Sequence, residues 1–259
     1  GIGSRLGKLF VGPDVETGEP EFDRAVLLRG SEARLLAIFD RRTRDLVAGA
    51  VARGCTVAGG RAQGAAKGDL TAAAALLLPS LEVAEIAQTI SERSQQPVTA
   101  LLRENAMGDP APGVRRRCLQ TLLEHFPGHA ETRVAVEAAS VDTDPDVRLF
   151  ASARLEGGGA AALAEIVADR SLEDRVRVDA MRQLVAGAGS RVLAIAEREL
   201  GSDRPAIRAL AIGVIGRARR STSMPALLVL AASAIDRDEQ LALAEAFWRL
   251  RDPAAEAAL

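Results

Sequence analysis

The chain has 259 residues, 48% of them apolar and 26% charged, enough to bury a sizeable core and too apolar for a disordered segment. A formal net charge of −2 argues against a strongly basic nucleic-acid binder and against a polyanionic tail. Tyrosine is absent and Trp248 is the sole tryptophan, leaving few aromatic anchors for base stacking or for an interface hot spot.

Taken in order, residues 1–30 mix glycine, proline and short apolar runs, and Leu9-Phe10-Val11 and Phe22 to Leu28 are the strand candidates. The acidic stretch from Val15 to Asp23 reads as the turn between them. Ser31 is placed to cap an amphipathic helix running through Leu35, Ile38, Phe39 and Leu46 to about Ala52, and Gly54 stops it. Residues 55–68 read as a hairpin turning at Gly59-Gly60. Asp69 caps a further helix to about Arg93, disturbed at Pro79-Ser80. These elements form a small α+β domain over residues 1–93, incomplete at its N-terminus.

From Gln96 onward the pattern is helical and repetitive. Asp144-Pro145-Asp146-Val147-Arg148 combines a capping carboxylate, a proline suited to the first helical position and a branched residue followed by an arginine. Val147, Ala151 and Leu155 then fall four apart on one apolar face. The phrase recurs as Val114-Arg115…Cys118…Leu122, Val176-Arg177…Ala180…Leu184 and Ile207-Arg208…Ala211…Ile215. Its branched residues lie at 114, 147, 176 and 207, so the periods are 33, 29 and 31. Helix pairs are expected near 130–140 with 145–156, 159–169 with 174–187, 190–200 with 204–218 and 224–235 with 238–250. The last copy is degenerate: Gln240 or Leu241 takes the branched slot, Trp248 replaces the closing aliphatic, and Asp252-Pro253 repeats the cap signal.

Asp-Pro-x-Val-Arg…Ala…Leu at a period of ~30 residues resembles HEAT repeats, in the short variety named after phycobilisome-lyase proteins rather than the form of ~40–47 residues. The resemblance covers residues 96–256 and implies a mainly α fold: a HEAT-like solenoid domain of about five helical pairs over residues 94–259, behind the small α+β unit. Such solenoids are mostly scaffolds, so it says little about chemistry. Separately, Thr17-Gly18-Glu19-Pro20-Glu21-Phe22-Asp23, followed by a strand and a helix, resembles a segment of uncharacterised bacterial proteins, some of them membrane-anchored with helical repeats behind it. That resemblance covers about residues 9–90 and carries over no catalytic residue.

No constellation for catalysis stands out. His125 and His129 flank Pro127-Gly128 without further ligands at metal-site spacing, and Cys55 and Cys118 are far apart. Gly59 to Gly68 lacks the Gly-Lys-Ser/Thr step of a phosphate loop, and no Gly-x-Ser-x-Gly elbow exists. Cys118 shares the small-residue slot of Ala151, Ala180 and Ala211 and reads as a core thiol. No metal, cofactor or catalytic residue is therefore expected.

Arg115, Arg148, Arg177 and Arg208 recur at one repeat position. They read either as an arginine ladder receiving an acidic ligand or as a structural ladder pairing with loop aspartates such as Asp144, Asp146, Asp174 and Asp203. The structural reading is preferred because the repeat supplies both partners. Arg115-Arg116-Arg117 and Arg217-Arg219-Arg220 read as solvated charged faces rather than a nucleic-acid site.

The function expected is a non-enzymatic protein–protein interaction scaffold of bacterial origin, with an arginine-for-lysine bias fitting a GC-rich genome. Its polar column of Gln120, Thr121, Arg154, Arg182 and Gln183 faces the partner. A DNA-binding or DNA-repair solenoid is the alternative, with Trp248 beside Asp238 or Asp252 as its only combination. No secretory signal and no run of 18 apolar residues is present. A cytoplasmic location is expected; because the chain begins at Gly1 without methionine, its start reads as cut, and association through an upstream membrane anchor stays open.

Overall fold

The structure, a computed structural model, describes residues 13–53, 56–58, 61–63, 84–187 and 191–251, with the backbone alone for 56–58 and 61–63. The protein is mainly helical. The strand expected at Leu9-Phe10-Val11, Cys55, the Asp69 cap, the Pro79-Ser80 disturbance and the helix expected after Asp252-Pro253 lie outside the described residues.

In the N-terminal part, β1 (Asp14–Val15) pairs antiparallel with β2 (Leu28–Arg29), with Val15 opposite Leu28. Between them Phe22 to Ala25 is not a strand, as its apolar run suggested, but part of helix α1 (Pro20–Ala25). Pro20 takes the first helical position, where its missing N–H costs nothing. The Asp23 carboxylate reaches back to accept from the Thr17 amide and hydroxyl, both at 2.8 Å, and from the Gly18 amide at 3.0 Å. Phe22 is thereby turned inward against Phe39, ring centroids 6.0 Å apart.

Gly18 has φ +94°, and a Cβ there would lie 2.4 Å from the carbonyl oxygen of Gly113. The turn thus needs glycine for conformation and for space.

The long helix expected from Ser31 to Ala52 is two, α2 (Glu32–Ile38) and α3 (Arg41–Ala52). Asp40 separates them by capping α3 through the Thr43 amide at 2.9 Å, a local bond that competes with helix continuation. Then β3 (Thr56–Ala58) and β4 (Arg61–Gln63) pair antiparallel with Ala58 opposite Arg61, the hairpin expected around Gly59-Gly60.

Helix α4 (84–94) precedes α5 (Val98–Gly108), α6 (Pro112–His125), α7 (Ala130–Ala139) and α8 (Pro145–Ser152). Asp144 Oδ1 accepts from the Asp146 and Val147 amides, each at 3.0 Å, and so caps α8 as its position implied. The chain continues through α9 (Gly159–Ala168), α10 (Asp174–Gly187), α11 (Val192–Glu199), α12 (Pro205–Arg217), α13 (Met224–Ala231) and α14 (Arg237–Leu250).

Two compact units result, residues 1–147 and 148–259. Within the first unit α2 packs on α5 and α6, across the boundary expected at 93/94. Asn105, buried on α5, donates to the Leu36 and Ala37 carbonyls at 2.7 and 3.2 Å, satisfying acceptors at the end of α2. The first core holds Leu35, Leu36, Phe39, Leu101, Leu102, Val114, Cys118, Leu119 and Leu122. The second gathers Leu163, Val167, Val176, Ala180, Leu184, Ile207, Ala211, Ile215, Leu243 and Phe247. Val114, Val147, Val176 and Ile207 are all buried, and so are Cys118, Ala151, Ala180 and Ala211.

Cys118 is fully buried, and burial pushes its thiol up to about 12. At pH 8 its thiolate fraction is on the order of 10⁻⁴, so native Cys118 should resist iodoacetamide for hours and react promptly in urea. Mass mapping of the labelled site checks this; native labelling at the rate of a free thiol would place this face of α6 outside the core. The same shift destabilises the fold at high pH: stability is intact below ~9 and falls as pH rises toward 12, because only the unfolded thiol ionises there.

Two glycines of α12 make a second test. A Cβ on Gly216 would lie 2.8 Å from the Ala246 Cα of α14, whereas one on Gly213 would meet only the Arg217 guanidinium at 3.4 Å. Gly213→Ala should therefore stabilise by up to ~1 kcal/mol through helix propensity. Gly216→Ala should destabilise by about 1–2 kcal/mol, because backbone cannot swing aside. Equal shifts of the urea midpoint would show that α12 and α14 do not cross there.

Candidate functional site

The arginine that follows the buried branched residue begins one turn into its helix, beside the preceding loop. Arg115 donates from Nε and Nη2 to the two Asp142 oxygens at 2.8 and 2.6 Å and from Nη1 to the Asp109 carbonyl at 2.8 Å. Arg177 donates from Nε to the Val167 carbonyl at 3.0 Å and from Nη1 and Nη2 to Asp203 Oδ1 at 3.2 and 3.3 Å. Arg208 donates from Nη1 to the Ser202 carbonyl at 2.9 Å and from Nε and Nη2 to the two Glu239 oxygens. Each guanidinium thus takes a backbone carbonyl from the preceding loop or, for Arg177, from the last turn of α9, and one carboxylate 26–31 residues ahead. Those separations, 27, 26 and 31 residues, come close to the sequence period of 29–33.

The sign of each electrostatic shift follows. The Asp142 hydrogen bond holds the Arg115 guanidinium above its ordinary value, and Glu239 does the same for Arg208. Desolvation is the largest single influence on Asp203 and works against its charge, but the hydrogen bond and charge of Arg177, a backbone hydrogen bond and the charge of Arg204 together leave that carboxyl below the usual range. Arg148 is half-buried on α8 and engages neighbours of its own. Ser171 is the first cause of the lowered Asp169 carboxyl, and the charges of Arg148 and Arg177 add to it.

Of the four aspartates expected as partners, only Asp203 receives one of the three arginines whose bonds are described above. Asp144 caps α8 and Asp174 pairs with Arg204. Asp142 and Glu239 take the other two places. A related arrangement that local sequence does not announce lies on α3. Arg44 donates to the Phe39 carbonyl, to both Asp109 oxygens at 2.8 and 2.9 Å, and to Glu19. Desolvation opposes its charge, and the bonds it donates to Asp109 and then Glu19, with their charges, still leave Arg44 above its ordinary value.

The polar column does not survive intact. Thr121 is fully buried, its hydroxyl 3.4 Å from Glu32 Oε1, because α6 packs against α2 as well as α5. It offers no surface to a partner. Gln120 is half-buried and bonds Glu124 at 2.7 Å. Arg154, Arg182 and Gln183 are exposed; Arg154 stacks its guanidinium 3.7 Å over the Phe150 ring, and Arg182 pairs with Asp179 at 2.9 Å.

The arginine runs are divided too. Arg115 is buried, Arg117 pairs with Glu32 and Arg220 with Glu197, while Arg217 and Arg219 are exposed. His129 is not a ligand candidate: it is the N-cap of α7, where Nδ1 accepts from the Glu131 amide at 3.2 Å. Among the described residues no group of three His, Cys, Asp or Glu side chains is arranged to hold a metal.

Among the described residues large apolar side chains are exposed in both units, Leu27, Met107, Val134 and Val141 in the first and four more in the C-terminal helices. Val229, Ile235, Leu241 and Trp248 are exposed, Ile235 at 92% and Trp248 at 69%. In α14 the buried phase is Glu239, Leu243, Ala246 and Phe247, so Phe247 fills the closing slot read for Trp248. Gln240 is exposed rather than in the branched slot, and Leu241 and Trp248, seven apart, share the outward face. Among the described residues no helix is long and apolar enough to cross a membrane. Compared with family models, curated proteins and solved structures, the chain matches none of them.

Proposed function

We propose that the protein is a non-enzymatic interaction scaffold, built on short HEAT-like helical repeats, whose C-terminal helices bind another protein. The observation that carries this reading is the outward face of α14, where Leu241 and Trp248 stand exposed while Val229 and Ile235 are exposed just before it. A large aromatic left in water is costly unless a partner covers it, and tryptophan is the residue most enriched among interface hot spots. The repeating arginine–carbonyl–carboxylate rung supports the repeat reading, since it supplies the same joint at close to one sequence period. Exposed Arg154, Arg182 and Gln183 are the remaining members of the polar contact surface. The reading includes a cytoplasmic setting, in keeping with the free buried thiol of Cys118.

Crosslinking capture with the full chain, followed by reconstitution with the purified captured protein, tests it. Trp248, as the only tryptophan, reports directly: its emission should shift to the blue when the partner binds. Trp248→Ala should weaken binding at least ~30-fold, the effect of a hot spot worth ≥ 2 kcal/mol, with the melt unchanged. Unaltered affinity would remove this face from the interface. Binding to duplex DNA that falls steeply with salt would replace the scaffold reading with a nucleic-acid one.

A further inference from the structure

We propose that the cavity between α2, α4 and the start of α5 is a binding site for a small amphipathic monocarboxylate, a short acyl or aryl acid. The cavity has a volume of about 470 Å³, within the size range of small-molecule sites. Leu35, Ile38, Ile90, Val98 and Leu101 supply an apolar lining. Ser31, Ser94 and Gln96 add neutral polar groups, and Arg34 and Arg93 are the charged members. No carboxylate is among the described residues that line it, so the site favours an anion.

The two arginines differ in a way that defines the ligand. Arg93 is built into the wall: Nη1 pairs with Asp40 at 2.9 Å, and Nη2 donates to the Ala37 carbonyl at 3.0 Å and to Asn105 Oδ1 at 3.3 Å. Its side chain is 12% exposed, and its buried Nε has no acceptor among the described residues. Asp40 takes the Thr43 amide and hydroxyl on Oδ1 and Arg93 on Oδ2, so that pair is balanced within the wall and the charge left for a ligand is that of Arg34. Arg34, by contrast, is exposed and forms no ion pair with any described residue. The Ser94 hydroxyl is given to the Ser91 carbonyl at 2.8 Å, so one free guanidinium and the Ser31 hydroxyl remain, and they match a single carboxylate; a polyphosphate would need more donors than these. The apolar lining then selects acids that carry a hydrocarbon body.

The site lies wholly within the first unit and stands independently of any protein partner. Calorimetric titration of the full chain with octanoate, 1-octanol and octylammonium tests it. Octanoate should bind about tenfold more tightly than octanol, the usual scale of one charge-assisted bond, and octylammonium more weakly than either. Arg34→Gln should bring octanoate down to the affinity of octanol and leave octanol unchanged. Val98→Phe, which fills the cavity from its rim, should abolish binding of both with the melting temperature unmoved. Absence of heat with all three probes, equal affinity for the three, or full octanoate affinity in either variant overturns the proposal.

Discussion

Arg44→Ala is expected to destabilise the first unit by about 3–5 kcal/mol, the usual cost of breaking a buried ion pair from one side. The Arg44 and Asp109 side chains are each 1% exposed, whereas Glu19 is 33% exposed. Removing the guanidinium leaves the Asp109 carboxylate buried, with the Ala111 amide at 3.0 Å as its remaining described donor. It also strands the Phe39 carbonyl at the end of α2. Against a total stability of ~5–15 kcal/mol such a loss is large, and the urea midpoint should fall with the slope unchanged. Arg44→Lys should recover only part of it, because an ammonium cannot meet both Asp109 oxygens and Glu19 together. Arg42→Ala serves as the control: that arginine and its partner Glu85 are 68% and 47% exposed, and the melt should not move. A loss below ~1 kcal/mol for Arg44→Ala would mean that the pair is open to water.

How much of this was legible depends on whether the deciding contact is local. Helices α10, α12 and α14 begin and end within about a residue of where apolar period and proline or aspartate caps put them. Phe22 to Ala25 misled because a short apolar run carries no period of its own. The bonds that Thr17 donates to the Asp23 carboxylate decide it, a contact within the same turn that an apolar run does not register. The break between α2 and α3 was present locally, as Asp40 three residues before Thr43, but it was hidden by an apolar pattern continuous across it. Thr121 looked solvated because a wheel drawn from one buried stripe allows α6 one neighbour, and it has two faces covered. Nothing local marks Asp109 or Glu239 as buried carboxylates, since their arginines lie 65 and 31 residues away. The cavity beside Arg34 was equally silent in sequence, because it exists only where α2, α4 and α5 come together.

Arg208→Ala is expected to cost about 3 kcal/mol or more, and it separates the two meanings of the arginine ladder. The Glu239 side chain is 1% exposed and that of Arg208 20%, so the carboxylate is the group that loses everything when the arginine goes. For Arg177 the balance is reversed, with the arginine 2% and Asp203 40% exposed. Arg177→Ala lets its carboxylate relax into water and strands only the Val167 carbonyl. The loss there should be clearly smaller. Replacing both partners, as Arg208→Leu with Glu239→Leu, should return most of the stability, because no charge is then left buried and both positions gain apolar packing. If the ladder instead exists to receive an acidic ligand, Arg208→Ala should shift stability by less than ~0.5 kcal/mol and abolish binding. The geometry favours the structural outcome, since the Arg208 donors are turned to Ser202 and Glu239 within the fold. Urea melts of the three variants side by side decide it: an unchanged midpoint for Arg208→Ala would make this column a binding surface.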